Sequence, residues 1–104
     1  MAIVLVATGS GFNNNTGPSC TTGAMNNTGA NFLVAVAVGY DASVKTSATV
    51  TDSSSNSWTS LSEYSASNRR VCIWYATNAT VTSSQTVTLT PAAQTFMSVN
   101  ALSY

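Results

Sequence analysis

Oxygen-bearing side chains alternate in the segment TVTDSSSNSWTSLSEY. Asp52, Ser54 and Asn56 stand at alternate positions, and Glu63 is twelfth when Asp52 is counted as first. A helix-flanked calcium loop spaces its oxygen ligands in this way and ends on a bidentate acid. However, Ser57 stands where that loop requires glycine, and the flanks alternate with period two, which is typical of strands. The segment therefore predicts a strand–turn–strand unit whose Asp and Asn side chains bond nearby backbone N–H groups.

The other residues that could do chemistry are few. The sequence has no histidine, which excludes Ser-His-Asp and Cys-His nucleophiles and the usual zinc and iron ligand sets. A glycosidase needs two carboxyl groups about 5 to 10 Å apart. Asp52 and Glu63 could flank one hairpin, but no second polar cluster accompanies them. Lys45 has no partner signature for Schiff-base chemistry. We expect no enzymatic activity, no catalytic residue, no cofactor and no metal site.

Aromatic residues offer a different kind of site, a platform on which sugar rings could stack. The candidates are Trp58, Trp74, Tyr40, Tyr64, Tyr75 and Tyr104. Alternation places Tyr75 on one face with Ile73 and Val71, which favours a core position. Trp58 and Trp74 could stack inside a sandwich or lie exposed, and we favour the core. If exposed, they would form the aromatic surface of a carbohydrate-binding module.

The composition is poor in charge and rich in hydroxyl and amide groups. Charged residues make up 6% of the chain, against about 25% in ordinary soluble domains. The hydroxyl and amide groups of 16 serines, 16 threonines and 10 asparagines must therefore make the surface hydrophilic. Thr favours strands, whereas Ser and Asn favour turns. Three positive and three negative residues leave no basic patch for nucleic acid. Contacts made by such a surface should be insensitive to salt.

The N-terminal residues MAIVLVATGSG superficially resemble a targeting segment. They contain no basic residue, and their apolar run of about six residues is too short for a signal peptide or a membrane span. We expect a protein made in a host cytoplasm without a signal peptide and without a membrane partner. Cys20 and Cys72 could pair on parity alone, whereas a cytoplasm would keep them as thiols.

Period-two alternation predicts strands through most of the chain. The first is expected at Ile3–Thr8, followed by a region rich in Gly and Asn up to Gly29, with a short strand possible at Cys20–Met25. Later strands are expected at Ala48–Thr51, Trp58–Tyr64, Arg70–Thr77 and Gln85–Thr90, and over the closing residues FMSVNALSY. In Gln85–Thr90, Val87 and Leu89 should point inward.

The segment NFLVAVAVGY predicts a central strand with two unlike faces. One face would carry Phe32, Val34, Val36, Val38 and Tyr40, and the other Leu33, Ala35, Ala37 and Gly39. We expect the large side chains to form the core. The small side chains on the opposite face would then let a second backbone, a loop or a neighbouring molecule come close.

Seven or eight short strands separated by turn signals predict an all-β fold, an antiparallel β-sandwich. Residues 1–104 should form one domain. Residues 1–29 would supply an N-terminal strand plus an Asn/Gly-rich loop or arm, and residues 30–104 the sandwich core. These patterns leave immunoglobulin-like and jelly-roll topologies both open.

Five segments carry a family resemblance: FLVAVAV, TVTDSSSNSWTSL, VCIWYATNAT, QTVTLT and ALSY. Together they resemble the immunoglobulin-like β-sandwich modules of structural proteins in tailed bacteriophages and of bacterial surface proteins. The resemblance covers roughly Asn31 to Tyr104. In that pattern a glycine often precedes the asparagine of the turn, where this chain has Ser55.

The resemblance implies a virion component. A small chain that starts at its own Met suits a capsid decoration (cement) protein, which binds the major capsid protein lattice, sits with copies of itself in trimers or clusters, and stabilises the head. The expected location is the capsid surface. The expected partner contacts are Met1, Ile3, Leu5, Phe12 and Asn14. The alternatives are a carbohydrate- or host-surface-binding module and a tail or baseplate ornament.

Overall fold

The computed structural model describes residues 2–14, 18–39, 48–66, 69–91 and 96–104, with the side chain of Asn14 excepted. Within these residues the chain forms strands and no helix. The strands are β1 (Ala7–Asn14), β2 (Cys20–Thr21), β3 (Phe32–Gly39), β4 (Thr49–Asp52), β5 (Thr59–Ser60), β6 (Tyr64–Ala66), β7 (Arg69–Thr77), β8 (Val87–Thr90) and β9 (Phe96–Ser103). Among the described residues, therefore, no helix is long and apolar enough to cross a membrane.

The strands form two sheets. The large sheet has the order β1-β9-β3-β7-β5, with β6 also paired to β7, and the small sheet has the order β2-β8-β4. The strands of both sheets pair antiparallel. The predicted antiparallel sandwich is confirmed, with nine strands in the described part of the chain instead of seven or eight.

The pairing is nested from the two ends of the chain inward. β1 pairs with β9, β2 with β8, and β3 with β7. In an immunoglobulin sandwich the first two strands are neighbours in one sheet. Here β1 and β2 belong to different sheets. The nested order is that of a jelly-roll, the alternative topology, and not the immunoglobulin-like order that the sequence resemblance implies.

The core lies between the inner faces of the sheets. Trp74 and Val99 of the large sheet are buried there with Val87 and Leu89 of the small sheet. Ala35 lies between Trp74 of β7 and Ala101 of β9. Since facing sheets pack about 10 Å apart, alanines at the middle of one sheet leave room for the larger side chains of the other.

Burial along β3 has the opposite sense to the predicted one. Leu33, Ala35, Ala37 and Gly39 are buried, whereas Phe32, Val34, Val36 and Val38 are only half-buried and face away from the small sheet. The prediction that the valine face forms the core was wrong. The small face is the one that lies in the core, where Ala35 and Ala37 belong to the same cluster as Leu89 of the small sheet. Tyr40 lies outside the described residues.

The first strand begins later than predicted. Residues 2–6 pair with no strand, although the Val6 N–H donates to Ser103 O at 2.7 Å, and β1 instead spans residues expected to form a loop. A Cβ on Gly11 would lie 2.1 Å from Thr21 O and 2.5 Å from Thr21 C, so glycine is required where the chain of β2 crosses β1. The predicted short strand at Cys20–Met25 is reduced to two residues, followed by a single bridge from Met25 to Gln85.

Candidate functional site

Asp52, at the end of β4, accepts hydrogen bonds on both carboxylate oxygens. Oδ1 accepts from the backbone N–H of Ser54 at 2.7 Å and from the side-chain amides of Asn56 and Gln85, each at 3.2 Å. Oδ2 accepts from the indole N–H of Trp58 at 2.6 Å. One carboxylate thus holds together the turn after β4, Trp58 directly before β5, and Gln85 two residues before β8.

The hydrogen bonds continue from Asp52 on both sides. Inward, Asn27 donates from Nδ2 to Gln85 Oε1 at 3.0 Å, and both side chains are fully buried. Outward, Asn56 Nδ2 donates to Thr80 O at 2.8 Å, and Asn56 Oδ1 accepts from Thr80 N at 2.7 Å. The Asn56 side-chain amide therefore satisfies both the N–H and the C=O of Thr80, as the backbone of a neighbouring strand would. We call Asp52, Asn56, Trp58, Gln85 and Asn27 the Asp52 cluster.

Local sequence explains the tight path of this turn. Asp52 bonds the N–H two residues further on, which is the usual Asx arrangement. Ser55 has a φ of 57°, in the left-handed region that favours glycine. This is the position at which the related pattern often carries glycine.

Glu63, the residue that would complete a calcium loop, does not bond to the Asp52 cluster. It forms an ion pair with Arg70, whose side chain is buried. The oxygens of Asp52 are already engaged by N–H donors, and no group of three or more His, Cys, Asp or Glu residues within the described ranges could hold a metal ion.

A cavity of about 160 Å³ lies beside this ion pair at the end of the sandwich. Ala37, Trp74 and Leu89 supply apolar walls, and Arg70 and Cys72 supply polar ones. Burial raises the pKa of the Cys72 thiol, and the Glu63 carboxylate raises it further. Because only the thiolate is an effective nucleophile, these surroundings leave Cys72 unactivated. Burial also raises the pKa of Cys20 to about 11, and both cysteines are free.

The two tryptophans do not form a shared surface for sugar stacking. Trp74 is buried and belongs to the hydrophobic core. Trp58 is half-buried and packs against that core, and its indole N–H donates a hydrogen bond to Asp52. These positions agree with the core interpretation of both residues.

The expected partner contacts lie at or near one edge of the large sheet. Ile3, Leu5 and Phe12 are 83%, 49% and 75% exposed. Met1 lies outside the described residues. Asn14 ends β1 opposite Phe96, and its side chain is not described. We call residues 2–6, with the sequence AIVLV, the N-terminal arm.

Sequence reasoning missed two features. The first is the buried link between Asn27 and Gln85, which are distant in the chain and carry no motif. The second is the outward-facing apolar surface on β3 and β7, which was assigned to the core. Alternation indicated which residues share each face, and only the position of the small sheet decides which face is covered.

No family model, no curated protein and no solved structure matches this chain.

Proposed function

We propose that this protein is a non-enzymatic structural component of a tailed-bacteriophage virion, a capsid decoration protein that binds the lattice of the major capsid protein and stabilises the head. The resemblance of its sequence segments to phage structural modules motivates the proposal. The observation that carries it is the N-terminal arm, an apolar segment whose side chains are exposed.

Exposure of the arm is costly unless another surface covers it. Ile3 and Val4 are 83% and 66% exposed, and Leu5 and Val6 are 49% and 40% exposed. Burying one such side chain fully gains roughly 1.5 to 3 kcal/mol. Transfer of the four into an apolar groove of a neighbouring subunit would therefore stabilise an assembly by several such increments, less the entropy of ordering the arm.

The charge-poor surface supports the same function. With formal net charge of zero and three charges of each sign, binding to a lattice would depend on shape and apolar contact. Such contacts are only weakly screened by salt. Jelly-roll sheets are also a recurrent architecture of viral capsid proteins, although a fold alone does not determine a function.

Cosedimentation tests this proposal. Purified protein would be mixed with expanded capsids of the phage that encodes it, lacking decoration, and the capsid melting temperature would be measured in parallel. We expect saturable binding and a higher capsid melting temperature. The variants Ile3→Asp and Leu5→Asp should weaken binding at least about tenfold, since each places a charge in an apolar contact.

Thr51→Asp is the matched control, because Thr51 is exposed on the outer face of the small sheet, away from the arm. Binding that is lost equally in this control would assign the effect to net charge. If the wild-type protein neither binds capsids nor raises their melting temperature, the proposal is wrong. Labelling of tails in electron micrographs would instead support the tail or baseplate alternative.

A further inference from the structure

The two sheets present unlike outer faces. On the small sheet, Thr21, Thr88 and Thr51 lie side by side across the three strands, and Thr49 pairs with Thr90 in the next row. The hydroxyls of Thr21 and Thr88 are 2.8 Å apart and hydrogen-bonded. This face is built to contact water.

The large sheet carries apolar side chains at the equivalent outward positions of β3 and β7. Cross-strand neighbours are Val34 with Tyr75, Val36 with Ile73, and Val38 with Val71. Ile73 is 38% exposed, and the other five side chains are half-buried. We call these six residues the β3–β7 patch.

We propose that the β3–β7 patch is the interface at which a second copy of this chain packs, sheet against sheet. The outer face of the small sheet is made of threonines, whereas the outer face of β3 and β7 in the large sheet is made of valine, isoleucine and tyrosine. This contrast indicates that the apolar face is covered in the working form. The proposal concerns self-association in solution and does not depend on the proposed role on a capsid.

Charge favours a second copy as the occupant. None of the six patch residues is charged, and the nearest outward charge on β7 among the described residues is Arg69 at its end. A charged partner would find no complementary group here. Two identical patches related by a two-fold axis bring no like charges together, and they present the same side chains in both directions.

Geometry and area also favour a second copy of the chain as the occupant. Sheet faces pack on one another about 10 Å apart with their strands about 30° from parallel. The four long strands, of eight or nine residues each, have a footprint of roughly 500 Å² per copy, or roughly 1,000 Å² in a pair, which is the size of a weak or transient interface. On β9 and β1 the same face continues with the polar residues Ser98, Asn100 and Ser10 and with the apolar residues Leu102 and Phe12.

Sedimentation velocity of the full chain, from about 1 µM to about 1 mM, tests the inference. We expect a monomer–dimer equilibrium whose dissociation constant changes little between low and high salt. Val36→Lys and Ile73→Lys should each weaken dimerisation at least about tenfold, since each buries a charge at the centre of the patch. The double variant Val36→Thr/Ile73→Thr retains β-branched side chains and should weaken it in the same direction.

Thr88→Lys is the matched control, because it places the same charge at an outward strand position of the small sheet. It should leave the dimer unchanged, and circular dichroism with thermal melting would show that each variant is folded. A wild-type chain that is monomeric throughout, or folded Val36→Lys and Ile73→Lys variants that dimerise as wild type, would overturn the proposal. It would be overturned equally if removal of the arm, rather than change of the patch, abolished self-association.

Discussion

Asp52 shows how one carboxylate can hold a turn and a neighbouring segment together through hydrogen bonds. Its oxygens accept from a backbone N–H, a side-chain amide and an indole within the next six residues, and from the amide of Gln85, 33 residues away. Because Asp52 is half-buried and linked to fully buried Gln85, loss of one of these hydrogen bonds leaves a donor that water reaches only in part. The spacing of Asp52, Asn56 and Trp58 is thus a signature of local architecture.

Asp52→Asn should therefore destabilise the protein by about 2 to 3 kcal/mol, because the new amide N–H₂ would face a donor where the carboxylate accepted one. Urea unfolding followed by tryptophan fluorescence measures the loss. Thr51→Asn, one position away and outward, is the control and should cost less than about 1 kcal/mol. Equal effects in the two variants would contradict the role given to the cluster.

Cys20 gives the stability a defined dependence on pH. Burial raises the pKa of its thiol from 9.0 to about 11. Between pH 9 and 11 the unfolded chain has released this proton while the folded chain retains it, so stability falls as pH rises. On the order of 2 kcal/mol should be lost across this window.

The control for this effect is Cys20→Ala, which removes the titrating thiol and keeps the other groups. Thermal melting at pH 8 to 11 should show a steeper decline for the wild-type protein than for the variant. Parallel declines would show that the thiol does not titrate differently on folding.

Ser55 marks what could be predicted at the residue scale. The sequence indicated a turn and showed that a serine replaces a common glycine. The backbone at Ser55 still takes the left-handed conformation. The buried pair Asn27 and Gln85 was not predictable, since its hydrogen bond joins residues 58 positions apart.

At the scale of the strands, the crossing of β1 by β2 depends on the absence of a side chain. Gly11→Ala should destabilise the protein by roughly 3 kcal/mol or more, because the added Cβ would overlap the backbone of Thr21. Gly23→Ala is the control, since a Cβ there meets nothing within 4 Å, and its effect should be small. The free energy of unfolding from urea titration compares them, and a well-tolerated Gly11→Ala would mean that β1 and β2 lie further apart.

Strand positions were predicted well where alternation combined with strong strand propensity. β7, β8 and β9 lie where expected, and Val87 and Leu89 point inward. β1 was misplaced because its sequence, ATGSGFNN, has low strand propensity and is held by its pairing with β9. The arm has high strand propensity, yet it pairs with no strand, and the pairing of β1 with β9 begins only at Ala7 opposite Ser103.

At the scale of the molecule, the nested order of strands decides where the polar and apolar surfaces lie. It places the threonine face on one side, the β3–β7 patch on the other, and the arm at the end of β1. The sequence predicted a charge-poor sandwich but not this arrangement, because period-two alternation is identical for either choice of inner face. The arm and the patch are separate apolar surfaces, so their variants can be tested independently.

The proposed function is tested most directly by equilibrium cosedimentation with undecorated expanded capsids at low and at high salt. The account predicts saturable binding that is nearly unchanged by salt, since the contacts are apolar, and that Ile3→Asp weakens at least about tenfold. Thr51→Asp should bind as wild type. Absence of binding, or binding that disappears at high salt and is indifferent to Ile3→Asp, would contradict it.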